Sequence, residues 1–487
     1  MLLSALAYRL PAQTQFESSP LLAPGLSSIF NKIIAGDLDG DGDADLFGAT
    51  LATLPARPYL LLRNDGRGVF TDATSGNVPV TAFGNSFVAP GLVTIDMEGD
   101  GDLDLFIGST SGVGHSLLFE NDGSGRFADV SGNIPAAASH CLGAIAADFD
   151  GDGDTDLVSL HSTLLGGVSA LLTNNGAGVF TASFPFSVFA ANRPVAADID
   201  ADGDVDFAFG EVAAVRLYRN DGGMVFTDVT ATQVPALPGQ GAATPTFGDV
   251  DGDGDPDLFV ARAQGPADLL LRNNAGTFTI YASLPSTGTM AAELTDIDGD
   301  GDLDLFRNGI AGNLTLALND GTGVFTAANQ RLPTVTTTLP ALLAVDVDGD
   351  ADRDLLVYQT LAPDPYLLRN RHRQVVCGDA VIGSLWSVEV WSTPGYATLD
   401  HPALLGIGLS RLPQPLSIPG LGGLWLDLGA PYLFSIGLVP ASAGVHVDRF
   451  LIPALPALRG IELSVQSLVE HDRGQAHLTG FDVAVIR

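Results

Sequence analysis

Aspartate recurs on alternate positions in seven short stretches, as in "DVDGDGDPD" over residues 249–257. Neighbouring carboxylates at about 4–6 Å repel by roughly 1–4 kcal/mol, depending on the local dielectric, so such a stretch needs a compensating charge. Oxygen-only donor sets suit hard divalent cations, and Ca²⁺ tolerates six to eight oxygens in a flexible geometry. Mg²⁺ demands a stricter octahedron, and zinc prefers the His or Cys that these stretches lack. The pattern is D-x-[DE]-x-D-[GA]-D-x-D. The side chains at its first, third, fifth and ninth positions can converge, a glycine at the sixth permits the sharp turn, and the seventh residue can offer its carbonyl.

The candidate metal-ligating residues are, loop by loop, Asp37, Asp39, Asp41, Asp43 and Asp45; Asp96, Glu98, Asp100, Asp102 and Asp104; Asp148, Asp150, Asp152, Asp154 and Asp156; Asp198, Asp200, Asp202, Asp204 and Asp206; Asp249, Asp251, Asp253, Asp255 and Asp257; Asp296, Asp298, Asp300, Asp302 and Asp304; and Asp346, Asp348, Asp350, Asp352 and Asp354. One Ca²⁺ per loop, about seven in all, is the expectation. Glu98 at a third position and Ala351 at a sixth mark the second and seventh loops as the weakest. An EF-hand would need a glutamate at position twelve and flanking helices, whereas position twelve here falls in an apolar, strand-like run.

These loops hold 35 of the 57 acidic residues, and the remaining acids equal the 22 Lys plus Arg. The net charge of −35 therefore belongs to seven small sites and not to a general acidic coat. With one lysine (Lys32) and no basic cluster, nucleic acid is not an expected partner. No uninterrupted apolar run is long enough to span a bilayer.

The loops begin 59, 52, 50, 51, 47 and 50 residues apart. After each comes an apolar run such as "DLFGAT" or "DLFVAR". About a dozen residues later a hairpin signature follows, "YLLLRNDGRGVFTD" or "LTLALNDGTGVFTA", in which Asn-Asp-Gly favours positive φ. With the apolar lead-in to each loop, a repeat supplies about four short strands, the pattern of propeller blades. The seventh repeat stops at "YLLRNRHRQ" without its last strand, and the N-terminal "TQFESSPLLAPGLSS" is expected to supply it, because an open ring would expose edges.

The loop resembles the calcium-binding loop of FG-GAP/VCBS repeats, the blades of integrin-α-type β-propellers, and the resemblance covers residues 14–373. It implies a seven-bladed ring with calcium held between the first two strands of each blade. Integrin α propellers load only some of their loops, whereas all seven here look competent.

The expected fold is all-β, a seven-bladed propeller over 14–373 followed by a C-terminal β-sandwich over 374–487. The sandwich is read from alternation such as "SLWSVEVWS" and from frequent Pro and Gly turns. It resembles the C-terminal domain of secreted Planctomycetes-like bacterial proteins, and its Trp386, Trp391 and Trp425 are read as core. Residues 1–13 read as the remnant of an export signal or as a frayed terminus. Cys141 and Cys377 are read as unpaired, and "NLT" at Asn313 fits a glycosylation sequon.

No nucleophile elbow, zinc-protease helix or phosphate loop occurs, and the eight histidines share no ligand spacing. The expected function is that of a secreted or cell-surface scaffold for binding or adhesion, with an extracellular protein or glycan ligand. A propeller lectin or a polysaccharide-active enzyme on the same ring is the alternative.

Overall fold

Apolar runs bounded by glycine-rich turns pair as antiparallel meanders in the computed structural model. It describes 15–21, 30–50, 58–80, 91–108, 116–135, 141–161, 169–186, 192–211, 214–238, 243–285, 288–309, 314–333, 340–350, 352–359, 365–371 and most strands within 375–486. Residues 1–13, Asn313 and Ala351 lie outside the described residues. Seven four-stranded sheets follow one another along the repeats. Blade 1 is Phe30–Gly36, Asp45–Thr50, Tyr59–Arg63 and Thr71–Asp72; blade 4 is Asn192–Ala197, Asp206–Gly210, Val215–Asn220 and Phe226–Asp228.

The second strand of a blade is buried on both faces, since adjacent blades cover it. Asp45–Thr50, Asp156–His161 and Asp257–Arg262 are buried at every position. This explains why these strands read as continuous apolar runs and not as an alternation. The cores lie between blades: Phe47, Tyr59 and Leu61 of blade 1 pack with Leu105, Ile107 and Phe119 of blade 2. At about 25 cal/mol per Å² of apolar surface, such seams are the main stabilising term of the ring.

The first strands touch in sequence from blade 1 through blade 7 and back to blade 1, so they form a closed inner circle. Blade 7 is completed from the other end of the chain. Phe16–Pro20 pairs antiparallel with Tyr366–Asn370, Phe16 opposite Asn370 and Pro20 opposite Tyr366. Phe16 is buried and meets Phe306 edge-on at 5.8 Å. Buried Gln15 donates from Nε2 to the Ile297 carbonyl and to Asn370 Oδ1, and its Oε1 accepts from Arg331.

The last repeat strand ends at Asn370, and Val375–Cys377 opens a separate set of sheets. A three-stranded sheet (Val375–Cys377, Leu385–Trp391, Val445–Leu451) and a four-stranded sheet (Tyr432–Val439, His401–Gly408, Glu462–Glu470, Ala476–Val485) share one core. Trp386, Val388 and Val390 face Leu405, Ile407 and Val465 in it. Trp386 is therefore a packing residue, 5.9 Å from the Phe450 ring.

Candidate metal centres

Each Asp-rich loop joins the first strand of a blade to the second and folds around its own carboxylates. The first aspartate closes the turn: the Gly40 and Gly42 amides donate to Asp37 at 2.8 and 3.0 Å, and Gly252 and Gly254 donate to Asp249 at 2.7 and 2.9 Å. The fifth aspartate accepts the amide two residues on, as Asp41 does from Asp43 at 3.0 Å. Sixth-position glycines sit at φ near 95°, where a Cβ is disfavoured. The fourth position is also left-handed. In the fourth loop Ala201 occupies it at φ 58°, a strained position for a residue with a side chain. Sequence reasoning singled out Ala351 and passed over Ala201.

The ninth aspartate is a fully buried hub. Its Oδ2 accepts the second-position amide at 2.9–3.2 Å in every loop. Its Oδ1 accepts the amide of the asparagine that opens the hairpin turn, at 2.6–2.8 Å. Burial, offset in part by these amides, pushes Asp45 and Asp206 up to about 7 and Asp104, Asp156 and Asp257 up to about 6. Asp304 rises to about 8.

The asparagines themselves carry a function that the sequence reading missed. Asn64, Asn121, Asn174, Asn220, Asn273, Asn319 and Asn370 are all buried. Each donates from Nδ2 to the second-position carbonyl of the preceding blade's loop, at 2.7–2.9 Å. Asn64 of blade 1 reaches Val347 of blade 7, which closes the cycle. The recurrence of Asn at one register position was the available signal; it was read only as a turn former.

Carboxylate oxygens converge within 4.8 Å in the sets Asp37/Asp39/Asp41, Asp148/Asp150/Asp156, Asp198/Asp200/Asp206, Asp249/Asp251/Asp257 and Asp296/Asp298/Asp300. The first and third positions recur in each set, joined by the fifth or the ninth. Seventh-position side chains turn elsewhere. Asp43, Asp102, Asp154 and Asp302 lie against the turn glycines Gly66, Gly123, Gly176 and Gly321, and Asp255 Oδ2 accepts the Ala275 amide at 3.0 Å. The carboxylate of that residue thus braces the hairpin.

The donor sets fit a hard divalent cation on their own geometry. The Oδ1 atoms of Asp39, Asp200 and Asp251 are buried and accept no hydrogen bond. Burial, ahead of the neighbouring acids, raises all three carboxyls, and a bound cation would remove that penalty. Cations of the chain already touch some third positions: Arg63 reaches Asp39 at 3.2 Å, Arg331 reaches Asp298 at 3.1 Å, and Arg272 pairs with Asp251. In blade 2 the residue corresponding to Arg63 is Glu120. It adds to the push on Glu98, which burial and then Asp104 raise to about 8.

Cys141 is a buried free thiol. No helix among the described residues is long and apolar enough to cross a membrane.

The family model described as FG-GAP-like repeat matches residues 37–107, 96–159, 198–260, 249–307 and 296–357, each match spanning two successive loops. No curated protein matches the chain. Among solved structures, the chain is similar to an Agrocybe aegerita lectin that recognises non-reducing terminal N-acetylglucosamine (21% identity, TM-score 0.46, 64% of this chain and 83% of that one). It is also similar to BBS1N in complex with ARL6DN (12%, 0.46, 73% and 98%) and to the exotype rhamnogalacturonan lyase YesX (13%, 0.35, 88% and 90%).

Proposed function

We propose, for a chain that belongs to the FG-GAP-like repeat family, that it is an exported β-propeller whose loops hold Ca²⁺ and whose ring presents a binding surface to an extracellular protein or glycan. The observation that carries the calcium reading is the buried, unbonded Oδ1 of Asp39, Asp200 and Asp251, each within a converging carboxylate set. The first, third, fifth and ninth residues of each loop would hold the ion, which supplies charge neutralisation and no chemistry. The role of calcium is thus structural: it lets the first two strands of a blade approach although five acids lie between them.

Export follows from affinity. Extracellular calcium modules bind at about 10⁻⁴–10⁻³ M, far above cytosolic free calcium, so loops of this class load outside the cell. Native mass spectrometry in calcium-replete buffer is expected to show five to seven ions per chain, and chelation to lower the melting temperature. Zero or one ion, or an unchanged melting curve after chelation, refutes the calcium reading. A glycan array with and without calcium separates a sugar ligand from a protein one.

A further inference from the structure

The chain has a single lysine, and the fold places it on the inner circle of strands. Lys32 lies on Phe30–Gly36 of blade 1, just past the bulge in its pairing with Asp45–Thr50. It is half-buried by surface area, yet enclosed by protein so closely that desolvation lowers its amine to about 8. Both hold together for a group lining a narrow channel: water reaches it, but little water surrounds it. Arg193 lies on Asn192–Ala197, the inner strand of blade 4, and is exposed. Its charge acts on Lys32 in blade 1, on Glu293 in blade 6 and on Tyr358 in blade 7. Lys32 and Arg193 each stand four residues before the strand end that pairs with a ninth-position aspartate, Gly36 opposite Asp45 and Ala197 opposite Asp206, so they share one level of the inner circle.

Its backbone is unusual as well. Arg193 has φ 45° directly before Pro194, where a residue with a Cβ strongly prefers extended conformations. The pairing shifts register between Asn192 and Val195, so this residue sits in a bulge of its inner strand, and bulges re-aim side chains. Charge pairing gives the second pointer. Arg63, Arg216, Arg272, Arg307, Arg331 and Arg371 all stand in ion pairs with acids. Among the described residues Lys32 and Arg193, like Arg126, Arg353 and Arg369, stand in none, in a chain with 57 acids. The one acid near Arg193, Glu293, already accepts the Ala344 amide and also feels Arg353. Two cations thus share the inner circle with Glu293 as the one acid near Arg193, inside a protein of net charge −35.

We propose that the axial channel between Lys32 and Arg193 binds a small oxyanion, the carboxylate or sulfate group of a ligand that enters along the propeller axis. The guanidinium fork suits two oxygens of such a group, and the ammonium supplies a point charge from the opposite wall. Low-dielectric walls focus this positive field. The inference does not depend on what the Asp-rich loops hold.

A unique lysine makes the test direct. The full-length, calcium-loaded protein is dialysed free of small oxyanions, and its amines are ¹³C-methylated reductively, so that the NMR spectrum shows Lys32 and the N-terminus alone. Glucuronate, sulfate and neutral glucose are then titrated in at constant ionic strength. The expected result is a saturable shift of the Lys32 signal with glucuronate or sulfate, none with glucose, and at least tenfold weaker binding in Arg193→Gln. Shifts with glucuronate and sulfate separate the two oxyanion sources. A Lys32 signal that does not saturate with either anion, or that responds equally to glucose, overturns the proposal without reference to the variant. So does undiminished binding in folded Arg193→Gln, or an amine that resists methylation, since it would then face protein and not an open channel.

Discussion

Replacing Arg63 by leucine is expected to tighten calcium binding in the first loop. Arg63 Nε lies 3.2 Å from Asp39 Oδ2, while Asp39 Oδ1 is buried and unbonded. A divalent ion on that oxygen would lie on the order of 5 Å from the guanidinium. The repulsion is about 1.7 kcal/mol at the dielectric of water and several times larger at an effective dielectric of 20. Arg63 is 32% exposed, so the watery end applies, and about 1–2 kcal/mol corresponds to roughly 5–30-fold in affinity. Leucine is a natural occupant, since Leu318 stands at the same register in blade 6. The assay is native mass spectrometry against EGTA-buffered free calcium, in which one ion per chain should load at about tenfold lower calcium. Thr173→Arg, at the same register in blade 3, should move one ion the other way. Superimposable loading curves for wild type and both variants would refute the idea that these cations tune the loops. The same logic revises the expected filling order. Glu98 alone suggested a weak second loop, but Glu120 beside it supplies negative charge where blade 1 has Arg63, so the second loop should fill early.

Three further outcomes are expected. Deleting residues 1–20 removes the strand Phe16–Pro20 and uncovers the Tyr366–Asn370 edge, so the melting temperature should fall sharply; an unchanged melt would mean that the pairing closes nothing. Asn220→Ala strands the carbonyl of Phe149 while keeping the backbone amide that Asp206 accepts, and urea unfolding should show a loss of about 1–3 kcal/mol, against less than about 0.5 if the joint is idle. Metal-free protein should lose stability as pH rises from about 4 to 8. Asp45, Asp206 and Asp304 bind protons in the folded state at pH values where an unfolded aspartate near 3.8 does not, so each deprotonation on the way up favours unfolding. Saturating calcium should abolish that slope, and an equal slope with and without calcium would contradict the carboxylate sets as its source.

Much of the fold was legible because its signals are local. Loop spacing gave the repeat, the turn glycines gave the hairpins, and the absent strand after "YLLRN" pointed to the N-terminus. The site was legible only as a set of candidates. Alternate aspartates look equivalent in a sequence, yet the structure divides their work: the first folds the loop, the third is left with a bare buried oxygen in loops such as the first, fourth and fifth, the seventh braces the hairpin, and the ninth binds two amides. That division depends on strands far apart in the chain. The asparagine joints escaped notice for the same reason, since Asn64 and Val347 are 283 residues apart. Arg193 and Lys32 carry no motif at all and share the inner circle only because the first strands close into a ring.

The loops and the ring joints are one device, and this bears on why the acids are tolerated. The second residue of every loop has both backbone groups committed. Its amide donates to the ninth aspartate of its own loop, and its carbonyl receives the asparagine of the next blade, as Leu38 shows with Asp45 and Asn121. The asparagine's own amide is held by the ninth aspartate of its blade. The path therefore runs from ninth aspartate to asparagine to the neighbouring loop and on to that loop's ninth aspartate, through seven blades and back to its start. A carboxylate that must stay ionised and fixed to accept two amides is costly when four more acids crowd it and burial raises it toward neutral pH. A cation in the loop would offset that cost where the joint is anchored, so loading one loop would stiffen the contact with its neighbour as well as its own turn. Neutralising a ninth position by Asp206→Asn should then weaken calcium binding in the fourth loop and also loosen the joints that Asn220 and Asn273 make on either side of it. Loss confined to calcium binding, with both joints protected in hydrogen exchange as in the wild type, would mean that the loops and the ring are held independently.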